Sequence, residues 1–379
     1  MEAVATIPAG TERHQRVGAR NSQHFATDPE KILIVRLGSM GDIVHTLPAI
    51  GTLRGRFPRA LIGWVLEERW AGLLCSAPQF ASGPRRPERP LVDVLHVVHT
   101  RQWRQWPFSR RTRREFFGLL HQFRCERWQL ALDFQSAIRS AAAAQLSGAP
   151  RRIGFSRTIE TPASLFYTQR VEAVGRHVVE QNISLAVAAA PDAEPSFDFQ
   201  LPRDAGSDAW AGELLDKLSA TEFCLISPGA GWGAKRWPAE RFAQVARALH
   251  RRGVVSLVNY GPGEEALAQA VEASSGGLAR AVGSNISRLI ALLRRASLCL
   301  GGDTGPTHLA AALGVPVVAI YGPTDPARNG PFGAPCIVLR SQTSMTDHAR
   351  RAETEAGLMT ISAEQVIAAT DRILGARRY

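Results

Sequence analysis

The segment ASLCLGGDTGPTHLAAAL, residues 296–313, joins an apolar run, a glycine-rich turn and a second run of small apolar residues. The first run is typical of a buried strand, and the second, which ends before Gly314, is typical of a helix. In parallel α/β proteins such a turn binds anions, because free backbone N–H groups and the positive end of the helix dipole point at the ligand. The segment therefore predicts a phosphate site.

The same strand-turn-helix pattern recurs on both sides of a turn-rich segment at residues 191–206. Apolar runs typical of strands lie at Lys31–Arg36, Leu61–Val65, Val92–Val97, Gln129–Phe134, Phe223–Ser227, Val254–Val258 and Val315–Tyr321. Strands that alternate with helices predict an α/β protein with parallel sheets covered on both faces. We expect two doubly wound Rossmann-like domains, over residues 30–195 and 207–345, that face an interdomain cleft. A disordered leader is expected over residues 1–29, and a C-terminal helix over residues 360–376 that can pack back toward the N-terminal domain.

The composition is that of a globular protein with a basic surplus. The chain has 379 residues and a formal charge of +11, and only three of its basic residues are lysines. Such a surplus suits nucleic acid, a membrane surface or an anionic substrate. Five scattered cysteines form no CxxC pair, which indicates a reducing, cytoplasmic location. No apolar stretch reaches the ~18 residues that a membrane span needs.

Asp42 follows Gly38 and Gly41 at the turn after the first predicted strand. A carboxylate at a helix start commonly caps the helix, and it can also serve as a general base that takes a proton from an attacking hydroxyl. The loop is not GxGxxG, and an acid here would repel a pyrophosphate. This argues against a dinucleotide site in the first domain.

Three charged residues follow glycine-rich turns in the second half. Lys235 lies in a loop before a predicted helix, where it is either a solvated lysine or a cation that neutralises a leaving diphosphate. Glu264 and Glu265 follow the turn after Tyr260. They either complement a helix dipole or accept hydrogen bonds from a ribose.

A cluster that we predict to be a loop mixes arginines with aromatic residues: Arg101, Arg104, Arg110, Arg111, Arg113 and Arg114 with Trp103, Trp106, Phe108, Phe116 and Phe117. Such mixtures can bind single-stranded nucleic acid. They also suit an anionic lipid head group or a membrane surface. A merely solvated loop is the third reading.

Several segments resemble the lipopolysaccharide heptosyltransferases of type I, within family 9 of the ADP-heptose glycosyltransferases. The resemblance runs in order from Lys31 to Leu374, and the segments that carry it are Ser39–Ala49, Asp133–Ala141, Arg176–Asn182, Lys235–Pro238, Asp303–His308 and Tyr321–Pro326. The Asp303–His308 segment marks the wider family. The segments beginning at Ser39 and Asp133 are more similar to the first heptosyltransferase.

This resemblance implies a GT-B fold and an inverting, metal-independent enzyme without a cofactor. It implies transfer of L-glycero-D-manno-heptose from ADP-heptose to Kdo of lipid A, peripherally at the cytoplasmic face of the inner membrane. Asp42 is the implied base. The donor would be bound by Lys235, Thr304, Gly305 and His308 at the diphosphate, by Asp303 at the heptose, and by Glu265 or Glu264 at the ribose. Arg36, Arg139, Arg101 and Arg104 are expected to bind the acceptor.

Two other classes remain as alternatives. A nucleotide-dependent epimerase or oxidoreductase would need an early GxGxxG and usually a Tyr-x-x-x-Lys pair, and the sequence has neither. A nucleic-acid-binding protein would explain the charge and the arginine cluster, although we expect no nucleic-acid partner. The sequence also contains no HExxH, DxD, Cys/His cluster or GxSxG, so metal and acyl-enzyme chemistry find no support.

Overall fold

The computed structural model describes residues 28–347 and 352–376. These residues form two compact units that divide between Pro202 and Arg203, inside the turn-rich segment 191–206. Each unit contains one six-stranded parallel sheet. All of the predicted leader except residues 28 and 29 lies outside the described residues.

The first unit is a doubly wound sheet in the order β3-β2-β1-β4-β5-β6. Its strands are β1 Lys31–Val35, β2 Leu61–Glu67, β3 Val94–Val98, β4 Leu130–Asp133, β5 Arg151–Phe155 and β6 Gln169–Val171. Its helices are α1 Met40–Arg56, α2 Thr100–Gln105, α3 Arg110–Glu126, α4 Ile138–Leu146 and α5 Val178–Ala189. Residues 32–35 are fully buried, because a parallel sheet between two helical layers has no solvated face.

The second unit repeats this topology, in the order β12-β11-β10-β7-β8-β9. Its strands are β7 Phe223–Ser227, β8 Val255–Tyr260, β9 Ala279–Gly283, β10 Leu298–Gly302, β11 Val317–Tyr321 and β12 Cys336–Arg340. Its helices are α6 Ala205–Lys217, α7 Ala239–His250, α8 Glu265–Ser274, α9 Ile286–Leu293, α10 Gly305–Ala312, α11 Pro326–Asn329, α12 Ala356–Met359 and α13 Ala363–Ala376. The predicted class, α/β with two Rossmann-like domains, is confirmed.

Four strands were not predicted from the sequence: β5, β6, β9 and β12. β6 and β9 are edge strands, and so is β12 at the other edge of the second sheet. β6 (QRV) and β9 (ARAVG) mix polar and apolar residues, whereas β12 (CIVLR) is mainly apolar, so its composition does not explain why it was not predicted. β5 begins with two arginines and therefore lacks the apolar run on which the prediction depended.

The arginine cluster is helical, so its assignment to a loop was wrong. Ser109 caps α3 by accepting a hydrogen bond at its Oγ from the Thr112 N–H at 3.0 Å. Phe123 of α3 is buried and meets the ring of His96 edge-on, with 5.0 Å between ring centroids. Few apolar residues thus hold α3 to the sheet, and the dense charge hides their helical spacing.

The C-terminal helix α13 packs within the second unit. Val366, Ala369 and Ile373 belong to the same buried cluster as Phe242 of α7. These contacts bury one face of the helix within its own unit. The expectation that the helix also packs back toward the N-terminal domain stays a prediction.

Candidate active site

The candidate residues follow the strands at which each sheet reverses its strand order. In the first unit this switch lies between β1 and β4, and in the second it lies between β7 and β10. Ligands of doubly wound sheets bind outside the carboxyl ends of the strands at this point, because the two following loops diverge there.

Asp42 lies in the first turn of α1 and performs the capping role. Its Oδ2 accepts hydrogen bonds from the N–H and the hydroxyl of Ser39, each at 2.9 Å. Its Oδ1 pairs with Nη2 of Arg36 at 2.6 Å. The side chain is nevertheless 40% exposed, so capping and access to a substrate are compatible.

The electrostatic surroundings keep Asp42 ionised. Burial by itself raises the pKa of this carboxyl, but the Arg36 guanidinium and the two Ser39 donors outweigh it and hold the pKa below its ordinary value. A general base must start unprotonated, and this condition is met at neutral pH. The same contacts make the carboxylate a weaker proton acceptor.

The arginines expected at the acceptor are of two kinds. Arg36 is buried and, besides its contact with Asp42, donates from Nη1 to the Phe134 carbonyl. Arg139 at the start of α4, and Arg101 and Arg104 on α2, are exposed. Arg36 therefore positions Asp42 in this structure, whereas the other three are accessible to an anion from solvent.

Asp133, at the end of β4, is a functional candidate that the sequence analysis did not single out. It is fully buried and accepts four hydrogen bonds, from the N–H groups of Gln135 and Ser136 at Oδ1 and from the hydroxyls of Ser140 and Tyr167 at Oδ2. Burial raises its pKa, and the four donors oppose that rise. A buried carboxylate surrounded only by donors holds its loop in one conformation.

The loop that Asp133 anchors also holds the turn before Asp42. The side-chain oxygen of Gln135 accepts from the Leu37 N–H at 2.9 Å, and the Phe134 carbonyl accepts from Arg36. A run of contacts thus leads from Asp133 to Asp42. The sequence signal was an acid at the carboxyl end of a central strand.

In the second unit, β10 ends in two glycines that allow close packing. A Cβ at Gly301 would lie 2.7 Å from the Thr307 hydroxyl and 3.0 Å from the Ser227 carbonyl. A Cβ at Gly302 would lie 3.4 Å from the Lys235 carbonyl. The loops after β7 and β10 therefore lie side by side, as the prediction of a phosphate site requires.

Lys235, Asp303 and His308 form one buried polar cluster beside the start of α10. Lys235 Nζ pairs with Oδ2 of Asp303 and lies 4.1 Å from the centre of the Trp232 ring. His308 Nε2 lies 3.0 Å from Oδ1 of Asp303. The side chains of Lys235 and Asp303 are each 10% exposed.

Asp303 is ionised in this cluster. Burial raises the pKa of its carboxyl, but the hydrogen bond and charge of His308 and the Lys235 ammonium outweigh burial and hold the pKa well below its ordinary value. Its two oxygens face these two partners. Asp303 therefore fixes the direction in which Lys235 and His308 point.

Thr304 and Gly305 begin α10. Thr304 is the N-cap residue, and its hydroxyl lies 3.2 Å from the Thr307 hydroxyl. The first amides of a helix have no partner within the helix and carry the positive end of its dipole. With Lys235 nearby, this turn can bind an anion.

The two adjacent glutamates occupy different environments. Glu264 is half-buried, and its Oε2 accepts from the Gly261 N–H at 3.2 Å. A Cβ at Gly229 would lie 2.1 Å from its Oε1, so the carboxylate reaches the loop after β7. Glu265 is exposed and contacts Gln269 on its own helix. Of the two, Glu264 is the one directed at the phosphate loops.

Among the described residues, no group of three or more His, Cys, Asp or Glu side chains is arranged to hold a metal ion. Within the same residues, no helix has the length and apolar character needed to cross a membrane. The sites are thus built from carboxylates, Lys235 and His308, arginines and helix starts.

Two doubly wound sheets, each with its candidate residues at the switch point, define a GT-B-like protein of two Rossmann-like domains. The sequence profile of glycosyltransferase family 9 (heptosyltransferase) matches residues 116–358. The chain belongs to this family, and the resemblance drawn from its motifs is confirmed.

Similar proteins agree with this membership. Lipopolysaccharide heptosyltransferase 1 of Escherichia coli K12 is 28% identical over 317 residues, which cover 82% of this chain and 93% of that protein. Lipopolysaccharide heptosyltransferase 3 of Escherichia coli is 25% identical over 347 residues, which cover 88% of this chain and 96% of that protein. The structure of Escherichia coli heptosyltransferase WaaC with ADP-2-deoxy-2-fluoro heptose superimposes with a TM-score of 0.68 at 24% identity, covering 90% of this chain and 99% of that one.

Proposed function

We propose that this heptosyltransferase moves L-glycero-D-manno-heptose from ADP-heptose to Kdo of lipid A during assembly of the lipopolysaccharide core. The observation that carries the proposal is the buried Lys235–Asp303–His308 cluster at the start of α10. It combines a cation and helix amides, which suit a diphosphate, with a carboxylate, which suits sugar hydroxyls. The structure of Escherichia coli heptosyltransferase WaaC, which shares this fold, contains ADP-2-deoxy-2-fluoro heptose.

In the proposed reaction, Asp42 accepts the proton of the Kdo hydroxyl as that oxygen attacks the anomeric carbon of heptose. The bond between this carbon and the diphosphate oxygen breaks, and ADP leaves as an anion. Attack opposite to the leaving group inverts the anomeric configuration. In this proposal the first unit supplies the base and the second unit supplies the groups that bind the donor.

Lys235 and the α10 amides stabilise the charge that grows on the diphosphate. One such preorganised donor is typically worth a factor of ~10²–10³ in rate. These groups supply the positive charge that a metal ion provides in other transferases, so we propose a reaction without metal or cofactor. Thr304, Gly305 and His308 contact the diphosphate, Asp303 the heptose, and Glu264, rather than the exposed Glu265, the ribose.

On the acceptor side, Arg139, Arg101 and Arg104 are free to meet the Kdo carboxylate or the lipid phosphates. Arg36 changes partner from Asp42 to a substrate anion. We place the reaction at the cytoplasmic face of the inner membrane, since five free thiols suit a reducing compartment. No nucleic-acid partner is proposed.

A second candidate is transfer of heptose to a different acceptor, such as a heptose already attached to the core. It is favoured by the nearly equal identities to heptosyltransferases 1 and 3. One assay separates the two: turnover of ADP-heptose with Kdo-lipid A or heptosyl-Kdo-lipid A, beside ADP- and UDP-sugars of other kinds. Product from heptosyl-Kdo-lipid A alone would reject the first acceptor, and turnover of UDP-sugars alone would reject the donor.

A further inference from the structure

Exposed apolar side chains lie at two places on the carboxyl edge of the first sheet. Trp106 and Phe108, between α2 and α3, are 64% and 88% exposed. Ile159, in the loop after β5, is 74% exposed, and Ile138, at the start of α4, is 41% exposed. Single exposed apolar residues are common on protein surfaces. Here several exposed apolar side chains lie at the carboxyl ends of the strands of one sheet, which indicates a shared role.

Exposed arginines accompany each group. We define the first lobe as residues 100–110, which contain Arg101, Arg104 and Arg110 and no acidic residue. The second lobe consists of residues 138–139 and 156–160, with Arg139 and Arg157 exposed and one acid, Glu160, whose Oε2 accepts from the Ile138 N–H at 2.7 Å. Both lobes are therefore apolar and basic.

The strand order places Asp42 between the two lobes. The first lobe follows β3, the second lies after β4 and β5, and Asp42 follows β1 in the middle of the order β3-β2-β1-β4-β5-β6. Neighbouring strands are ~4.8 Å apart, so β3 and β5 each lie ~10 Å from β1. Thr100 donates to Glu67 at the end of β2, and the Ile159 N–H donates to the Ser136 carbonyl at 2.9 Å. Both contacts tie the lobes to this edge.

We propose that the two lobes seat this edge on an anionic phospholipid bilayer, with Trp106, Phe108 and Ile159 entering the interface on either side of Asp42. The inference rests on the proposed function, which it deepens by naming the surface on which a lipid-borne acceptor is met. Indole and phenyl rings favour the head-group level of a bilayer, and arginines there are attracted by anionic lipids.

The chemistry of the lobes favours lipid over nucleic acid. Single-stranded nucleic acid needs aromatic faces on which successive bases stack. The second lobe presents isoleucines, which have no such face, and the strand spacing puts ~20 Å between β3 and β5. Aliphatic and aromatic side chains enter a lipid interface equally well.

Vesicle sedimentation tests the proposal with the full chain, using vesicles of phosphatidylcholine with phosphatidylglycerol and vesicles of phosphatidylcholine alone. We expect binding to the anionic vesicles that weakens with salt. The Trp106→Ser/Phe108→Ser variant should bind at least about tenfold more weakly, because each ring withdraws apolar surface from water. Ile159→Ser should weaken binding several-fold.

Phe117→Ser is the matched control. Phe117 is 61% exposed but lies seven residues into α3, ~10 Å along the helix from its start. The C-terminal end of α3 lies at the amino ends of the strands, where Glu126 pairs with Lys31 at the start of β1 at 3.4 Å. This variant should bind vesicles like the native protein. Unchanged thermal unfolding of all variants would show that they fold.

Activity measurements separate this proposal from the proposed function. With a deacylated acceptor in solution, the lobe variants should keep native turnover, whereas with the acceptor in anionic vesicles their apparent KM should rise about tenfold. Three results would refute the proposed membrane-binding surface. The lobe variants could bind vesicles as the native protein does, the Phe117 variant could lose as much vesicle binding as they do, or the native protein could bind RNA but not vesicles. If the native protein binds anionic vesicles but turns over none of the acceptors, the proposed function is refuted and the membrane-binding surface is not.

Discussion

Lys235→Met tests whether this lysine serves the reaction or merely neutralises Asp303. The substitution keeps the length and apolar stem of the side chain and removes the ammonium. If Lys235 stabilises the leaving diphosphate, kcat should fall by ~10²–10³. ADP, which carries the same charge, should also bind more weakly in calorimetric titration.

The same variant should lose stability, because Asp303 remains buried and charged. Breaking a buried ion pair by removing one partner costs ~3–5 kcal/mol. His308 still faces one oxygen of Asp303, so we expect the lower end, about 3 kcal/mol. For a domain of about 150–250 residues, such as the second unit, a loss of about 3 kcal/mol lowers the unfolding temperature by about 6–12 °C.

Asp303→Asn in the Lys235→Met background separates the two effects. The double variant has no unpaired buried charge, so it should regain most of the lost stability but not the activity or the affinity for ADP. Asp303→Asn alone keeps the cation and should bind ADP at least as tightly as the native protein. Native ADP affinity in Lys235→Met, or recovery of turnover in the double variant, would reduce Lys235 to a structural partner of Asp303.

Three further outcomes follow from the sites. Asp42→Ala should lower kcat by at least ~10² while ADP-heptose affinity survives, because general bases contribute ~10²–10⁴; retained turnover would exclude the role. The Arg36 guanidinium lowers the pKa of Asp42, so Arg36→Met should move the acid limb of the pH profile of kcat/KM to higher pH. An unchanged acid limb would show that the limb does not report the ionisation of Asp42. Glu264→Gln should raise the KM for ADP-heptose several-fold by weakening a hydrogen bond to a charged group, whereas Glu265→Gln leaves it unchanged; the reverse result would exchange the two roles.

Most central strands were predictable from the sequence, whereas β6, β9 and β12 at the sheet edges were not. β7 lies at Phe223–Ser227 as predicted, because a strand between two others under two helical layers must be apolar throughout. β6 and β9 pair on one side only, so their residues need not form an apolar run. The helices α2 and α3 were missed for a related reason: little of their surface is buried.

The residue types at the candidate sites were readable from the sequence, but their partners were not. The glycines and threonines of residues 301–307 predict an anion site wherever a strand enters a helix. Nothing in the spacing shows that Lys235, 68 positions before Asp303, pairs with it. The pairing arises because β7 and β10 are adjacent in the sheet, which depends on the path of the whole chain.

Asp303 illustrates why those partners matter to the chemistry. An isolated carboxylate beside a diphosphate would repel it, and its burial would raise its pKa until it was protonated. Because Lys235 and His308 hold the pKa low, the carboxylate stays charged. In the buried pair of Lys235 and Asp303 the positive and the negative charge cancel each other. The attraction for the diphosphate therefore resides more in the α10 amides than in the lysine alone, and Asp303 can face sugar hydroxyls without cancelling it.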